Sequence, residues 1–220
     1  MSKKRKKPEE TPHKIFLNSG NNENRSPSDA MEEHIILSAI AVIDQDGIHG
    51  ATVRKIAEAA EVNVAAISYY FRGKERLIQK AMEKTLQNAF NFSDFSESQD
   101  FDPKARLIHV MNSVVTVTLK FPGIARAHFY DPLINNDYSG TSMFYVKRFL
   151  DRMIEDLLPR YEIPPDRDEL KTALTQIFSS TLIISAILPG FPSFCSDLNI
   201  QDQKDRLSWI SEIVNKMLPN

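Results

Sequence analysis

The sequence predicts an all-α protein with two folded domains. Hydrophobic residues make up 42% of its 220 residues, which is enough for a sizeable core, and only seven residues are glycine. Apolar side chains recur at helical spacing, whereas no stretch alternates apolar and polar residues over the length of a strand. We therefore expect a polar tail over residues 1–27, an N-terminal three-helix domain over residues 28–76 and a larger C-terminal helical domain over residues 77–220.

The tail begins with the run SKKRKK and carries seven Lys/Arg against three Glu. Its composition cannot bury enough apolar area to fold, so we expect it to be disordered. A lysine run of this kind is usually a solvating tail, although in a DNA-binding chain it would also add phosphate contacts. A nuclear localisation signal is a further interpretation that rests on this run alone.

The first helix is expected to be capped by Ser28 or Asp29 and to end at Asp46-Gly47. It is predicted to lie behind the two short helices that follow. Six apolar residues at helical spacing form its predicted inner face: Met31, Ile35, Ile36, Ala39, Ile40 and Ile43.

Two short helices are predicted over residues 52–77. Thr52 can cap the first helix, whose small and aliphatic residues recur at helical spacing. Glu61 and Val62 then leave room only for a tight turn. Asn63 can cap the second helix, whose slim first turn of valine and two alanines would let the backbone approach DNA in the major groove. The spacing therefore predicts a helix-turn-helix.

At these residues the chain resembles the TetR family of bacterial transcriptional repressors. Three positions depart from the family pattern: Glu61 stands in place of a turn glycine, Asn63 in place of serine and Ser68 in place of an aromatic residue. Asn63 is an equivalent cap, whereas Ser68 removes one phosphate anchor and leaves more of that role to Tyr69 and Tyr70. The pattern T-x-x-x-I-A-x-x-A-G-V-S-x-x-x-[LI]-Y-x-[YH]-F-x-x-K-[ED]-x-L is matched at Thr52, Ile56, Ala57, Ala60, Val62, Ile67, Tyr70, Phe71, Lys74, Glu75 and Leu77.

The resemblance implies a DNA-binding surface on the helix pair. Arg54 matches a position that reaches a base edge, and Lys74 one that meets a phosphate at the N-terminus of the fourth helix. The alternative is that the apolar stripe is only core, but that leaves the Lys and Arg residues around the tyrosines unexplained. The expected DNA-binding residues are Thr52, Arg54, Asn63, Val64, Ala65, Ala66, Ser68, Tyr69, Tyr70 and Lys74.

Positive charge is concentrated in the same part of the chain, although the formal net charge is only −2. Residues 52–84 carry seven Lys/Arg against four Glu, whereas residues 85–220 carry thirteen against seventeen acidic residues. A basic segment beside an acidic remainder is the electrostatic pattern expected of a domain that binds phosphates.

The remainder is predicted to be helical. A fourth helix begins after Gly73 and extends to about residue 91, and the resemblance implies that it joins the two domains. An acidic, serine-rich loop is expected over residues 92–102. The resemblance implies a homodimer formed through the last two helices, because two DNA-binding domains are required to read a palindromic DNA site. Cap, proline and periodicity signals predict the C-terminal helices over residues 103–119, 124–130, 141–158, 166–188 and 202–218.

The C-terminal domain is also the expected site of a small-molecule effector. Its aromatic and methionine side chains are core by default, but they would also suit an apolar cavity. Phe144 and Phe149 are both predicted to point inward from the helix over residues 141–158. The candidate ligand-binding residues are Phe90, Met111, Phe129, Tyr130, Phe144, Tyr145, Phe149 and Phe178.

Other classes of function lack sequence support. One cysteine, Cys195, and five scattered histidines give no metal-ligand spacing, and we expect no metal and no cofactor. The chain has no Gly-rich phosphate loop, no nucleophile elbow and no distinctive carboxylate pair, so we expect no enzyme activity. The longest apolar run, over residues 182–188, is far shorter than the about 20 residues of a membrane span. We expect a cytoplasmic protein with no membrane partner.

These observations predict a one-component, DNA-binding transcriptional regulator, most simply a repressor that a small-molecule effector releases from a palindromic operator. The alternative is a helical ligand-binding or interaction module without specific operator binding, for which Glu61 and Ser68 are the motivation.

Overall fold

The computed structural model describes residues 26–90, 102–187 and 199–218. These residues form helices and connecting turns, with no strand among them, which confirms the all-α prediction. The chain divides into two compact units between Asn88 and Ala89. Most of the predicted tail and of the loop over residues 92–102 lies outside the described residues, as do Cys195 and the predicted end of the helix at residue 188.

The first unit contains four helices within its described residues. Two of them, α2 and α3, are short and form the helix-turn-helix pair, while α1 and α4 flank them along the chain. Their bounds are α1 Pro27–Gly50, α2 Val53–Ala59, α3 Val64–Phe71 and α4 Lys74–Ala89. The predicted division at 76/77 would cut α4 after its first turn, whereas the structure keeps α4 with the first unit as far as Asn88.

The two ends of α1 are set by local backbone chemistry. The side chain of Ser26 accepts a hydrogen bond from the backbone N–H of Asp29 at 3.2 Å, so Ser26 is the cap, and the prediction of Ser28 or Asp29 was wrong by two or three residues. Pro27 follows at the first helical position, where its missing N–H costs nothing. Gly47 interrupts the helix with φ 75° and ψ 168°, a conformation almost restricted to glycine, so α1 breaks at the predicted end and resumes for one turn to Gly50.

The core of the first unit is built from the facing sides of the four helices. Met31 was expected on the inner face of α1 but is 37% exposed, because it lies one turn before the buried stretch begins at Ile35. Ion pairs and a ring contact add to the apolar packing: Lys80 pairs with Glu32, and its ammonium group lies 5.7 Å from the centre of the Phe71 ring. The largest side chains completely buried here are Phe71, Ile35, Leu37, Ile40, Ile43, Ile56, Ile67 and Leu77.

In the second unit, one helix is central. This helix, α5, packs against the three later long helices, and the shorter α6 follows it directly after Phe121. A π-helical turn over Asp131–Asn135 continues α6, and a 3-10 turn over Leu158–Arg160 continues α7. The bounds are α5 Pro103–Lys120, α6 Pro122–Tyr130, α7 Thr141–Leu157, α8 Arg167–Ile187 and α9 Gln203–Met217.

Two arginines hold this bundle together through polar contacts. Arg106 on α5 donates to Asp156 on α7 at 2.8 Å, and both side chains are largely buried. Arg206 on α9 is only 7% exposed and donates to Oδ1 of Asn112 on α5 at 2.8 Å and to the carbonyl of Ile200 at 2.8 Å.

No single helix in the described part of the chain is long and apolar enough to cross a membrane. The adjoining segments Pro103–Lys120 and Pro122–Asn135 together reach that length and composition, but they are bent by 104° at the break between them.

Candidate nucleic-acid interface

Both short helices of the helix-turn-helix begin at the predicted caps. The hydroxyl of Thr52 accepts a hydrogen bond from the backbone N–H of Lys55 at 3.3 Å, and Oδ1 of Asn63 accepts one from the N–H of Ala66 at 2.8 Å. Each cap satisfies a backbone donor that has no partner within its own helix. The cap chemistry therefore fixes where α2 and α3 begin.

The turn between these helices depends on a left-handed residue. Glu61 has φ 54°, and the backbone N–H of the next residue, Val62, donates to the carbonyl of Ala57 at 2.9 Å. This is the position at which the TetR pattern has glycine, which enters the left-handed region without steric cost. Glu61 thus keeps the turn geometry of the pattern with a less suitable residue.

The short helix α3 has one buried and one exposed face. Ile67 and Phe71 are anchored in the core, one helical turn apart. Val64 is 47% exposed and Tyr69 is 80% exposed. The ring centres of Tyr69 and Tyr70 lie 5.1 Å apart in an edge-to-face arrangement. An apolar and an aromatic side chain so exposed on a well-anchored helix are available to a partner.

The structure brings the sequence-predicted DNA-binding residues onto the helix pair and the start of α4. None of them is buried. Thr52, Arg54, Asn63, Val64, Ala65, Ser68 and Tyr69 are exposed, and Ala66, Tyr70 and Lys74 are half-buried.

The positive charges of residues 52–84 fall into two groups. Three lysines pair with acidic residues of α1: Lys55 with Asp46 at 2.7 Å, Lys80 with Glu32, and Lys84 with Glu33 at 3.2 Å. Sequence reasoning missed these partners, because nothing in the spacing shows which acid a lysine meets. Among the Lys and Arg residues of 52–84, Arg54, Arg72, Lys74 and Arg76 make no ion pair with another residue that the structure describes.

The candidate ligand-binding residues of the second unit are divided between core and surface. Phe90 and Phe149 are buried with ring centres 5.5 Å apart, and Phe149 lies 6.3 Å from Phe178. Met111 is completely buried, and its sulfur lies 3.5 Å from the hydroxyl of Thr181. The three phenylalanines form a packed aromatic core.

The other four candidates reach the surface of that unit. Phe129, Tyr130 and Tyr145 are half-buried. Phe144 is 59% exposed, so the prediction that it points inward was wrong. It precedes the fully buried Phe149 by five residues, which places it on a different side of α7.

A histidine in the same unit has an altered protonation equilibrium. Nδ1 of His128 on α6 lies 3.0 Å from the hydroxyl of Ser142, in the first turn of α7. The ring is surrounded by protein, although part of the residue's surface remains exposed, and this burial lowers the pKa of His128 to about 4. The imidazole is therefore neutral at physiological pH and connects two helices. Across the described ranges, no group of three or more His, Cys, Asp or Glu residues could hold a metal ion.

Residues 35–81 match the family described as bacterial regulatory proteins, tetR family. This part of the chain is therefore similar to the DNA-binding segment of the TetR family. The matched segment runs from the middle of α1 to the middle of α4 and includes the whole helix-turn-helix. This family consists of regulatory proteins and not of enzymes.

A curated relative matches the chain over a short stretch. Over 65 residues the chain is 46% identical to the Probable HTH-type transcriptional regulator YttP of Bacillus subtilis (strain 168), in a match that covers 26% of this chain and 31% of YttP. The chain thus matches about a third of the length of this curated relative.

Two solved structures share the fold along most of the chain. A transcriptional regulator from Rhodococcus sp. Rha1 has a TM-score of 0.61 at 15% identity, covering 84% of this chain and 95% of its own. The fatty acid degradation regulator FadR from Bacillus halodurans has a TM-score of 0.60 at 18% identity, covering 87% and 96%. The second unit therefore has the fold of the C-terminal domain of these regulators, although its sequence is distant from theirs.

Proposed function

We propose that this protein is a one-component transcriptional regulator of the TetR family that reads double-stranded DNA with α3. The observation that carries the proposal is the division of α3 into a buried face, held by Ile67 and Phe71, and an exposed face with Val64 and Tyr69. A helix anchored in this way can enter the major groove, where the edges of the four base pairs are distinguishable. Its slim first turn, with Ala65, lets the backbone come close to the bases.

The residues around α3 would make different kinds of contact with DNA. Arg54, exposed in the first turn of α2, would read a guanine edge. Lys74 would meet a phosphate at the N-terminus of α4, where the helix dipole also favours an anion. The hydroxyls of Tyr69 and Tyr70 would contact the phosphate backbone, and Ser68 would leave room for them.

A homodimer is part of the proposal, because two DNA-binding domains related by a two-fold axis match the symmetry of a palindromic operator. The surface of α8 and α9 supports it. On α8, Ser179 and Ala186 are small and exposed, with Ile183 between them at 47% exposed. On α9, Trp209 and Met217 lie two turns apart and both reach the surface. Small and apolar residues on one side allow helices of two subunits to approach closely.

Repression and release by a small molecule complete the proposal. The helix α4 is tied to α1 by the pairs of Lys80 and Lys84 with glutamates, and the chain then continues directly into Phe90, which packs against Phe149. A ligand that rearranges the aromatic core around Phe149 would therefore act on Phe90, the residue that directly follows α4. A coupling of about 1–3 kcal/mol would weaken operator binding about 5- to 150-fold.

Selection from a pool of random duplexes tests DNA reading. Wild-type protein should enrich sequences with two related half-sites, about one helical turn or a related spacing apart. A protein that enriches no sequence, and binds all duplexes weakly with strong salt dependence, would instead be a helical module without operator specificity.

Calorimetry tests the coupling to an effector found by thermal-shift screening. Linkage requires operator DNA to weaken effector binding by the same factor by which the effector weakens operator binding. Identical effector affinities with and without the selected duplex would show that the two sites are not coupled.

A further inference from the structure

Asp46 and Lys55 form an ion pair on the surface of the first unit. Nζ of Lys55 lies 2.7 Å from Oδ2 of Asp46, and their side chains are 51% and 29% exposed. Lys55 belongs to the first turn of α2 and follows Arg54, a residue proposed above to contact DNA. The pair therefore lies beside the proposed DNA-binding surface, at the start of the first helix of the helix-turn-helix.

The backbone on both sides of Gly47 fixes the position of Asp46. Asp46 is the last residue of α1 before the break at Gly47, whose φ of 75° turns the chain. Gly50 then passes so close that a Cβ added to it would lie 3.1 Å from the Cβ of Asp46. The absence of a side chain at Gly50 allows this close approach, and the carboxylate is directed toward α2 by the ordered end of a long helix.

An ion pair this exposed is weak enough to be exchanged for another anion. Pairs between solvent-exposed lysine and aspartate change an equilibrium constant by no more than about fivefold. A DNA phosphate presented to Lys55 would have to displace Asp46, and the carboxylate itself would repel that phosphate. Both effects lower affinity for the DNA backbone, whatever its sequence.

We propose that Asp46 limits the affinity of each DNA-binding domain for DNA phosphates by keeping Lys55 in an ion pair. This inference rests on the proposed DNA-binding function and assigns Asp46 a role in the part of the DNA affinity that does not depend on DNA sequence. Of the seven Lys/Arg in residues 52–84, Lys55 is paired most openly, with a side chain 51% exposed against 35% for Lys80 and 23% for Lys84. It is therefore the paired lysine that a phosphate can reach most readily.

Binding to a fluorescent random-sequence duplex of about 30 base pairs tests the inference without knowledge of the operator. Asp46→Asn should bind this duplex up to about fivefold more tightly for each DNA-binding domain engaged, and up to about 25-fold with two domains. The slope of log affinity against log salt should steepen by up to about 0.9 per DNA-binding domain. Lys55→Gln should cost less than about twofold in the wild-type background. In the Asp46→Asn background it should cancel most of the gain and leave only the part that comes from removing the direct repulsion between Asp46 and the phosphate.

The matched control is Asp151→Asn. Asp151 pairs with Lys147 on α7 at 2.6 Å, in an exposed Lys–Asp pair of the same kind outside the helix-turn-helix. The control removes the same charge and should leave DNA affinity within about twofold. Circular dichroism of each variant at the assay temperature checks that it is folded. If Asp46→Asn proves unfolded, the affinities of Lys55→Gln and Lys74→Gln for the random duplex are compared instead. A loss of affinity for Lys55→Gln as large as that for Lys74→Gln would overturn the proposal.

The outcomes separate this inference from the proposed function. Unchanged or weaker binding by folded Asp46→Asn would overturn the role of Asp46 while leaving DNA binding in place. An equal gain in Asp151→Asn would also overturn it, since the effect would then be one of net charge alone. Wild-type protein that binds no duplex, random or selected, would remove the proposed function and this inference with it.

Discussion

The side chain of Asn63 accepts a hydrogen bond from the backbone N–H of Ala66 at 2.8 Å, and so sets the first residue of α3. With only eight residues, α3 is too short to be stable alone, and it depends on its cap and on the burial of Ile67 and Phe71. A single side chain outside the helix therefore controls the element that is proposed to read DNA.

Asn63→Ala should reduce the free energy of unfolding by about 1 kcal/mol, because it removes the side-chain oxygen that accepts a hydrogen bond from the N–H of Ala66. Asn63→Ser is the matched control and should retain most of the stability, since a serine hydroxyl can accept the same hydrogen bond. Urea unfolding of the three proteins measures the difference. Equal losses in both variants would show that the hydrogen bond does not act as a cap.

Glu61→Gly should increase stability by about 0.5–1 kcal/mol. Glu61 occupies the left-handed region at φ 54°, where a residue with a side chain costs about 1–2 kcal/mol. Glycine avoids this cost, but the greater conformational freedom of glycine in the unfolded chain offsets part of the increase in stability. Glu58→Gly provides the comparison three residues earlier, in the exposed side of α2, and should cost about 1 kcal/mol. Thermal unfolding should move in opposite directions for the two variants, and a loss in both would contradict the strained turn.

Arg206→Met should reduce stability by about 2–4 kcal/mol. The substitution keeps much of the apolar stem but leaves Oδ1 of Asn112 and the carbonyl of Ile200 without their donor in a buried site, at about 1–3 kcal/mol each. Arg148→Met, on the exposed side of α7, should change stability by less than about 0.5 kcal/mol. Similar unfolding midpoints for the two variants would mean that Arg206 is not a structural contact.

His128 should make stability depend on pH. Burial lowers its pKa in the folded protein from 6.5 to about 4, so the unfolded chain takes up a proton at a higher pH than the folded one. Stability from this group is therefore complete above about pH 7 and is lost as the pH falls from about 6.5 toward 4. Because solvent reaches part of the residue, we expect a loss of about 1–2 kcal/mol between about pH 7.5 and pH 5.

The comparison for that pH effect is His128→Gln, which can still bond Ser142 but does not titrate. Its unfolding free energy should fall less than that of the wild type over the same range. Identical pH dependence in the wild type and His128→Gln would contradict a buried neutral imidazole.

The sequence predicted the helix-turn-helix well because its signals are local. Thr52 and Asn63 cap helices through bonds to residues three positions away, and Gly47 ends α1 by its own backbone freedom. At the other end of the chain, Asp202 caps α9 in the same way and its helix begins where predicted. Interactions that close within one helical turn can be inferred from spacing alone.

Long-range pairing could not be inferred in this way. Lys55 is one of the seven Lys/Arg residues of the basic segment over residues 52–84, and only the folded chain shows that it pairs with Asp46, nine positions away across a turn. Arg206 has no apolar signal, yet it is buried by acceptors on α5 and in the turn before α9. Phe144 was expected inside together with the other apolar residues of its helix, whereas its position on α7 leaves it exposed.

The most direct test of base reading by the α2–α3 pair compares Arg54→Ala with Lys74→Ala on the selected duplex and on random DNA over the same series of salt concentrations. We predict that Arg54→Ala loses about 1–3 kcal/mol on the selected duplex, with little change on random DNA, because a base-edge contact exists only at the matching sequence. Lys74→Ala should weaken both alike and reduce the salt slope by about 0.9 per DNA-binding domain, because it loses a phosphate. Equal losses on the two duplexes for Arg54→Ala would contradict the assignment of this helix pair as the surface that reads DNA sequence.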